Sequence, residues 1–447
     1  MNYKNIVFVC SPNLGILDNW LPFFESIKND KEKKFTIFFP KITTINQLNE
    51  SDLNFKLANS IFSKAVTIDH ENNIIEFNSL TNCHSNISNL KIISTLKNYT
   101  LKILKREGTP FDNFFLKLSF KLKNLLKKKF RFLKKENFFN EETILVLDAM
   151  ETQKKYFKPF LKNIKNLKKI SSFHGSDFPM ESEFKLKPTE ISNTLFLLFS
   201  NSPFEKEFYQ KRLILDKTCN FFVSGNPKHD LSWINKIFKF TESDYKKKFG
   251  NYVFLISRPA IKEYHPLDRK KKSLEIIKKN ILDYGINVVI KLHPKEDKYN
   301  GKMLYFDIFG KKNYNKTWFF SNEHHYLLGK NSIFAISLFS SVAVDLINIK
   351  IPTIEILDLK DLVEENRKNI FFENNLPVFN IRFLKLVLGS SDENTFIENR
   401  DKIMKNKDQV VDSIYLNYQN LFGKNVDILK NLTNYLKQEK ILVLAIL

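Results

Sequence analysis

The sequence has little cysteine, with 3 residues in a chain of 447. Cys10, Cys83 and Cys219 are too few and too scattered for a disulfide framework, and they lack the close spacing of a zinc site. No Asp-x-Asp motif stands at the end of an expected strand, so the sequence shows no such carboxylate pair for a divalent metal. We therefore expect a cytoplasmic protein that works without a metal or another cofactor.

Long apolar runs are also missing. The start, 1-MNYKNIVFVCSPNLG-15, has an apolar stretch of about five residues, which is shorter than a signal peptide requires. The tail 441-ILVLAIL-447 is far shorter than the roughly 20 residues that span a bilayer. We expect a mature protein that is soluble or lies peripherally on the inner face of the cytoplasmic membrane.

Acidic residues are in deficit. The chain has 71 Lys and Arg against 49 Asp and Glu, for a formal net charge of +22. This excess favours an anionic partner such as a nucleotide, a phospholipid or a nucleic acid. Lys, Asn, Ile and Phe are abundant while Ala and Gly are scarce, as an AT-rich coding sequence would give. Charge alone therefore does not indicate nucleic-acid binding, and we expect no nucleic acid among the partners.

Hydrophobic residues make up 43% of the chain, enough for a large core in two or three domains. Apolar runs alternate with helical stretches, which predicts parallel α/β sheets. Before residue 226 the expected strands are 5–10, 35–40, 91–95, 143–149, 169–173, 195–200 and 220–225. After the polar, helix-like connection 228–250 they are 252–257, 286–293, 304–309, 333–339 and 352–357. The restart predicts two doubly wound, Rossmann-like domains joined near residue 226.

Polar residues follow several strands of the predicted second domain, at the edge where such sheets bind ligands. His293 ends one strand, and Pro294 biases it toward an extended backbone. Ser340 and Ser341 follow another strand and open a helix, a pattern that suits an anion but is also an ordinary helix cap. Together these residues predict a site for a diphosphate.

A similar element occurs in the predicted first domain, in 170-ISSFHGSDFPM-180. Here an apolar strand ends at His174, Gly175 lets a ligand approach the backbone, and Ser176 and Asp177 offer hydrogen bonds. A single histidine is most often structural. At a strand end beside a glycine and an acid, His174 becomes a candidate base or acceptor-positioning residue.

The order of these motifs resembles that of CDP-glycerol glycerophosphotransferases, the teichoic acid polymerases. The matching residues, all within 170–360, are His174-Gly175-Ser176, Ser202-Pro203, Gly225-Asn226-Pro227-Lys228-His229-Asp230, Lys291-Leu292-His293-Pro294, and Ser340-Ser341 with Asp345. The His-Pro and Ser-Ser pairs are similarly placed in bacterial sialyltransferases and polysialyltransferases that use CMP-sugars. The resemblance implies an α/β fold of the GT-B type, with two Rossmann-like domains facing across a cleft.

The resemblance also implies an arrangement of domains. It gives an acceptor domain at 1–226, a nucleotide-donor domain at 227–410, and helices at 411–447 that pack near the junction. The implied enzyme is a metal-independent transferase that moves a sugar, or a sugar-like polyol phosphate, from a CMP-, CDP- or UDP-linked donor. The acceptor would be a glycan or lipid-linked molecule of capsule, lipopolysaccharide or related polysaccharide synthesis.

The same resemblance assigns roles to residues. The donor and its phosphates would lie against His293, Ser340, Ser341, Ser257 and Arg258, with Gly225 and Asn226 at the junction. The acceptor hydroxyl would be deprotonated by His174, Asp177 or Glu107. Glu355 would bind the ribose or play a structural role.

A basic amphipathic segment lies at 111–139, where apolar residues recur at steps of three and four and the other face carries Lys and Arg. It predicts a helix over 111–135. The helix would either bind an anionic membrane surface through residues such as Lys127, Lys128 and Lys129, or pack on the core with a solvated basic face.

Two other functions stay open at this point. A GT-B-like UDP-sugar 2-epimerase shares the scaffold, although its acidic active-site motifs are not evident in the sequence. A non-catalytic membrane-associated scaffold would need only the basic helix, but histidines at two strand ends favour an enzyme.

Overall fold

We analysed a computed structural model of the chain. The residues that it describes are 3–10, 15–45, 47–48, 52–68, 73–86, 121, 131–148, 157, 160–164, 167–172, 189–190, 197–200, 206, 213–214, 219–240, 245–262, 264–293, 295–296, 301–362 and 370–439. Among them, no helix is both long enough and apolar enough to cross a membrane.

In the first half of the chain, the described residues build a sheet of nine strands in the order β11-β9-β7-β6-β1-β2-β3-β4-β5. Its members are β1 (Asn5–Val9), β2 (Lys34–Phe39), β3 (Lys64–Ile68), β4 (Ile74–Phe77), β5 (Arg131–Leu133), β6 (Thr143–Asp148), β7 (Lys168–Ser172), β9 (Leu197–Ser200) and β11 (Asn220–Val223). Neighbouring strands pair in parallel, except that β4 is antiparallel to both β3 and β5. The residues Ile6 to Val9 are all buried, as expected for a central parallel strand covered on both faces.

Short helices accompany this sheet, and α1 is the longest described. The set comprises α1 (Gly15–Ile27), α2 (Ile42–Ile45), α3 (Leu53–Ile61), α4 (Leu80–Ser85), α5 (Lys135–Phe138) and α6 (Leu161–Ile164). Leu17, Leu21 and Phe24 recur at steps of three and four along α1 and are buried. This stripe packs α1 onto the core. A separate two-stranded parallel pair joins β8 (Thr189–Glu190) to β10 (Leu213–Ile214).

The second half builds a six-stranded, all-parallel sheet in the order β14-β13-β12-β15-β16-β19. Its strands are β12 (Tyr252–Ile256), β13 (Asn287–Lys291), β14 (Trp318–Phe320), β15 (Ala335–Ser337), β16 (Thr353–Ile356) and β19 (Leu388–Ser390). Val253, Val288 and Ile336 belong to a core that this sheet shares with its helices. A hairpin, β17 (Phe371–Glu373) with β18 (Leu376–Val378), lies outside the sheet.

The helices of the second half are α7 (Leu231–Phe240), α8 (Tyr245–Phe249), α9 (Leu267–Ile277), α10 (Gly301–Phe309), α11 (His325–Lys330), α12 (Val342–Ile347), α13 (Asn380–Phe383), α14 (Glu393–Phe422) and α15 (Ile428–Gln438). Short 3-10 helices occur at Pro227–His229, Lys311–Asn313 and Lys360–Leu362, and a π-helical turn at Lys278–Leu282 extends α9. Helix α14 is kinked at Asn406, whose backbone leaves the helical region.

Within the described residues, the chain crosses between the two sheets twice. The first crossing follows β11 through the 3-10 helix Pro227–His229 into α7. The second leads from α14 to α15, which packs against α1, and the Tyr435 ring stacks on Phe222 at 4.0 Å between centroids. The division at residue 226 and the separate unit 411–447 stay predictions.

Two local expectations from the sequence are wrong. Residues 304–309 form helix α10 rather than a strand: Tyr305 and Phe309, four residues apart, are buried while Met303 is 57% exposed. A short apolar run does not by itself separate a strand from a helix. The helix expected over 111–135 also fails at its end, because Arg131–Leu133 pairs with β4 as the edge strand β5. The strand expected at 91–95 lies outside the described residues.

Candidate functional site

The carboxyl ends of four parallel strands in the second sheet meet at one edge. Register pairs Ile256 with Lys291 and Ser337, and Ser337 with Glu355. The residues that follow these strands therefore lie at the same edge, where α/β sheets bind ligands. They include Arg258 after β12 and His293 after β13.

Arg258 lies against two aromatic rings that also contact each other. Its guanidinium carbon lies 5.1 Å from the Tyr264 ring centroid and 4.8 Å from that of Phe339. Its Nη1 also donates a hydrogen bond to the Phe339 carbonyl oxygen. Cation–π contacts and a backbone acceptor fix the guanidinium at the strand ends, where its charge is available to an anion.

The turn after β15 is strained. Phe339 has a φ of 64°, a left-handed conformation that bulky side chains rarely adopt. Such residues cost on the order of 1–3 kcal/mol and cluster at functional sites. The turn is fixed by a hydrogen bond from the Ser340 amide to Ser337 Oγ at 2.9 Å.

The turn presents two hydroxyl groups. Ser340 Oγ accepts from the Val342 amide at 3.3 Å, which leaves its own O–H for another acceptor. The side chain of Ser341 does not cap α12. Both hydroxyls are therefore available at the strand-end edge as donors.

His293 presents one defined ring nitrogen. Its Nδ1 accepts a hydrogen bond from the Lys295 amide at 3.1 Å, so in the neutral ring the proton resides on Nε2. Burial, and next the positive charge of Arg258, lower the pKa of His293 to about 4. At neutral pH His293 is thus an uncharged donor through Nε2–H.

Glu355 is a buried carboxyl group at the end of β16. Its Oε1 has no hydrogen-bond partner in the described part of the chain, and the residue is 1% exposed. Burial raises the pKa of Glu355 to about 7, although Arg382 and Arg258 oppose this shift. Gly389, the register neighbour of Glu355, leaves room for Arg382, whose side chain would overlap any Cβ at that position. Glu355 is suited to accept hydrogen bonds from a ligand hydroxyl.

A second layer of buried polar groups supports this edge. Glu296 Oε1 accepts hydrogen bonds from Ser257 Oγ at 2.7 Å and from the Lys270 ammonium. Ser257 also contacts the Tyr305 hydroxyl. Burial lowers the pKa of Lys270 despite its pairing with Glu296. Ser257 therefore has its hydroxyl engaged within the protein.

A different cluster lies at the first crossing between the sheets; we term Lys228, His229 and Asp345 the junction cluster. Asp345 Oδ2 accepts from Lys228 Nζ at 3.0 Å and Oδ1 lies 2.7 Å from His229 Nε2. His229 Nδ1 is 2.9 Å from the Tyr418 hydroxyl. Burial raises the pKa of Asp345, but Lys228 and the histidines outweigh it and bring the pKa to about 2. The cluster connects the crossing to α12 and α14.

Asp18, His324 and His325 come together beside the junction cluster, with one ligand atom of each within 4.8 Å of the others. Their residue types suit a metal such as zinc. However, His324 caps α11 by accepting from the Tyr326 amide through Nδ1, at 3.2 Å, so Nε2 carries the proton that it donates to Asp18 at 3.2 Å. A protonated Nε2 has no lone pair for a metal. The arrangement fits a hydrogen-bonded contact between α1 and α11 better than a metal site.

The other predicted residues lie apart from this edge or outside the description. Gly225, with a φ of 73°, packs against Ile428 of α15, and Asn226 Oδ1 caps the 3-10 helix by accepting from the Lys228 amide. They are parts of the first crossing. The catalytic candidates and the lysines proposed to bind a membrane lie outside the described residues: Glu107, His174 and Asp177, and Lys127, Lys128 and Lys129.

Sequence reasoning missed the supporting residues. Asp18 and His324 are 306 positions apart, and Lys270 stands in no recognisable motif. Only Glu296 gave a usable signal: it is the third residue after His293, in a His-Pro-x-Glu stretch typical of a tight turn.

No family model matches this sequence. No curated protein matches it either. Solved structures do resemble the fold, at low sequence identity. A putative UDP-N-acetylglucosamine 2-epimerase from Listeria monocytogenes matches with a TM-score of 0.53 and 10% identity, over 99% of this chain and 97% of that one.

Two further structures cover nearly the whole chain. The Methanocaldococcus jannaschii UDP-GlcNAc 2-epimerase, in complex with UDP-GlcNAc and UDP, matches with a TM-score of 0.51 and 12% identity, over 97% of this chain and 99% of that one. The wall teichoic acid polymerase TagF matches with a TM-score of 0.50 and 12% identity, over 98% of this chain and 90% of that one. At such identities the likeness concerns the fold alone. It confirms the predicted fold class: the chain has the GT-B fold, with two Rossmann-like α/β units.

Proposed function

We propose that this protein is a metal-independent transferase that takes a sugar, or a sugar-like polyol phosphate, from a nucleotide-activated donor. The observation that carries the proposal is the convergence of Arg258, His293, the hydroxyls of Ser340 and Ser341, and Glu355 at one strand-end edge. Four of these groups donate hydrogen bonds and one accepts them. A nucleoside diphosphate has the complementary pattern of anionic phosphates beside a ribose.

The hydrogen-bond donors at the strand-end edge also explain how the protein would catalyse the transfer. When the bond from the donor sugar to the diphosphate breaks, negative charge grows on the departing nucleotide. Arg258 and the neutral Nε2–H of His293 are fixed before the reaction, so they stabilise this charge without reorganisation. Ser257 supports the edge from below in this proposal, because its hydroxyl is bonded to Glu296.

The hydrogen-bond donors at the strand-end edge and the similar structures together support a choice of nucleotide class. The Methanocaldococcus enzyme binds UDP-GlcNAc and UDP, and TagF is a teichoic acid polymerase, so pyrimidine nucleotides are the first ligands to test. The acceptor belongs to a surface polysaccharide such as capsule or lipopolysaccharide. His174, with Asp177 and Glu107 as alternatives, remains the proposed base for its hydroxyl.

Calorimetric titration with CMP, CDP, UDP and GDP tests the donor site. We expect at least one of them to bind, and His293→Ala and Ser340→Ala each to weaken that binding by about tenfold or more, the loss of one hydrogen bond to a charged group. Ser273→Ala is the matched control, because that hydroxyl bonds to its own helix at Arg269. Unchanged affinity in both site variants would remove the proposed phosphate site.

The reaction itself is tested with the nucleotide-sugar whose nucleotide binds best. Transfer releases the nucleotide and joins the sugar to the acceptor. A product that keeps the nucleotide and inverts one sugar carbon would replace transfer by epimerisation, and proton NMR of the sugar distinguishes the two.

We further propose that the basic segment 111–130 attaches the protein to anionic membranes, where a lipid-linked acceptor resides. Its composition supports this role, since each basic residue near such a surface contributes roughly 1 kcal/mol. Replacing Lys127, Lys128 and Lys129 by Glu should release the protein from phosphatidylserine vesicles at low salt and leave nucleotide binding intact. The proposal would be contradicted if the wild-type protein did not bind such vesicles.

A further inference from the structure

The tight turn that carries His293 is held by one buried carboxylate. Glu296 Oε2 accepts a hydrogen bond from the His293 amide at 2.8 Å, and the Glu296 amide donates to the His293 carbonyl oxygen at 2.8 Å. The two residues thus close the turn from both sides. This closure brings the Lys295 amide to 3.1 Å from His293 Nδ1.

The carboxylate is itself fixed from below. Its other oxygen, Oε1, accepts from the Lys270 ammonium and from Ser257 Oγ. Glu296 is 1% exposed and Lys270 2% exposed, so both charges are removed from water. A buried carboxylate with a buried ammonium on one oxygen keeps that oxygen toward the ammonium, and the other oxygen is left for the His293 amide.

Which ring nitrogen of His293 carries the proton decides what the residue can do. With Nδ1 occupied by an amide donor, Nε2–H points to a hydrogen-bond acceptor such as a phosphate oxygen. If the turn opened, Nδ1 would lose its donor and the proton would distribute over both nitrogens. A histidine in the Nδ1–H form would offer a lone pair to the phosphate instead of a proton.

We propose that Glu296 and Lys270 are positioning residues that fix His293 as the Nε2–H tautomer. In this form His293 donates a hydrogen bond to a phosphate of the nucleotide-activated substrate. This inference rests on the proposed function for the identity of the acceptor, but its structural part concerns His293 alone. Neither positioning residue touches the ligand. Glu296 acts through the turn, and Lys270 acts through the orientation of Glu296.

The paired charges allow a test by rescue. In Glu296→Gln the Lys270 ammonium attracts the oxygen of the introduced amide, so the NH₂ group of that amide faces the His293 amide. Both groups are hydrogen-bond donors, so no hydrogen bond forms between them. The turn should open. In the double variant Lys270→Met with Glu296→Gln, no cation holds the amide oxygen, which is then free to accept from the His293 amide and close the turn again. The double variant also leaves no unpaired buried charge, so it should fold even where the single variant does not.

The first measurement needs no ligand. Two-bond proton–nitrogen NMR of ¹⁵N-histidine-labelled protein at pH 7.5 reports the tautomer of each imidazole, and loss of one signal set in His293→Gln assigns His293. We expect Nε2–H in the wild type, a mixture in Glu296→Gln, and Nε2–H again in the double variant. Glu393→Gln, which removes the solvent-exposed pair with Lys279, is the control and should leave the signals unchanged.

The second measurement is the affinity for the nucleoside diphosphate that binds best, CDP or UDP. It should fall by about tenfold in Glu296→Gln, because one hydrogen bond to a charged group is lost. It should recover in part in the double variant, where the His293 hydrogen bond is regained but Lys270→Met also removes the bond from Lys270 to the Arg258 carbonyl oxygen. Wild-type His293 in the Nδ1–H form, or an unchanged tautomer in both variants, would overturn the inference. If the tautomer responds as expected and no nucleotide binds the wild type, the positioning stands and the proposed function fails.

Discussion

The junction cluster buries the carboxylate of Asp345 and the strand-end edge buries that of Glu355, and among the described residues the two differ in how far their oxygens are satisfied. In the junction cluster, each oxygen of Asp345 has a partner, Lys228 on one and His229 on the other. At the strand-end edge, Glu355 Oε1 has no partner among the described residues. Buried polar groups in folded proteins are paired with few exceptions, and each exception needs an explanation.

This difference separates a structural use of charge from a binding use. Removing one partner of a buried ion pair is strongly destabilising, because the other charge is left buried without compensation. Groups that lack a partner are kept at a cost, and a ligand that supplies the partner recovers it. The junction cluster should therefore respond to mutation in stability, and the strand-end edge in pH dependence and affinity.

The largest effect is expected from breaking the junction cluster. Asp345→Ala leaves the Lys228 ammonium buried without a counter-charge, which should lower the free energy of unfolding by about 3–5 kcal/mol. Urea unfolding measures this. Glu142→Ala, at a surface residue paired with the exposed Lys4, should change it by no more than about 0.5 kcal/mol. Equal losses in the two variants would erase the distinction between the regions.

A smaller effect, with a defined pH window, is expected at Glu355. Its folded-state pKa of about 7 lies above the ordinary 4.5, so the folded protein holds a proton that the unfolded chain releases. That contribution to stability is complete below pH 4.5 and is lost as the pH rises through 7. Between these limits the wild type should lose about 3 kcal/mol relative to Glu355→Gln, which does not titrate. Parallel stability curves of the two proteins from pH 4.5 to pH 8 would show that Glu355 is paired after all.

The smallest effect sharpens the comparison within the strand-end edge. Arg258→Ala removes a positive charge that, after burial, lowers the pKa of His293, so that pKa should rise toward its ordinary value without reaching it. NMR titration of the His293 ring measures the change. Arg269→Ala is the control, since Arg269 pairs with Asp358 and Asp361. A rise of equal size in the control would mean that net charge, rather than Arg258, acts on His293.

The sequence was sufficient to predict the strand-end edge because its signals are local. Apolar runs that stop at His293, at Ser340 and before Arg258 mark strand ends, and parallel strands place their carboxyl ends at one edge for topological reasons. The fold class follows from the same alternation. The prediction for 304–309 is wrong because a six-residue, mostly apolar run fits a strand and a helix equally well until the packing of its neighbours is known.

The sequence resemblance includes Lys228, His229 and Asp345, but the contacts of this junction cluster were beyond prediction for the opposite reason. His229 and Tyr418 are 189 positions apart, and Asp18 and His324 lie on different halves of the chain. Nothing near Asp18 in the sequence distinguishes it from an ordinary acidic residue in the first turn of a helix. Only the fold brings such residues together, since each depends on how α1 and α11 pack.

The double crossing of the chain has a mechanical consequence. Two domains joined by one linker segment can rotate about any axis through it. A second linker leaves bending about the line through both linkers as the motion with the lowest energy cost. Here the linkers are the segment 224–230 and the segment 423–427, whose Gly423 and Asp427 both have positive φ. Tyr435, stacked on Phe222, anchors the second linker to the first sheet. Any opening of this molecule should therefore follow a single hinge axis. A chain ending at residue 423 should gain twisting freedom and also lose stability, because the buried Leu432 and Leu436 of α15 would be removed with Tyr435.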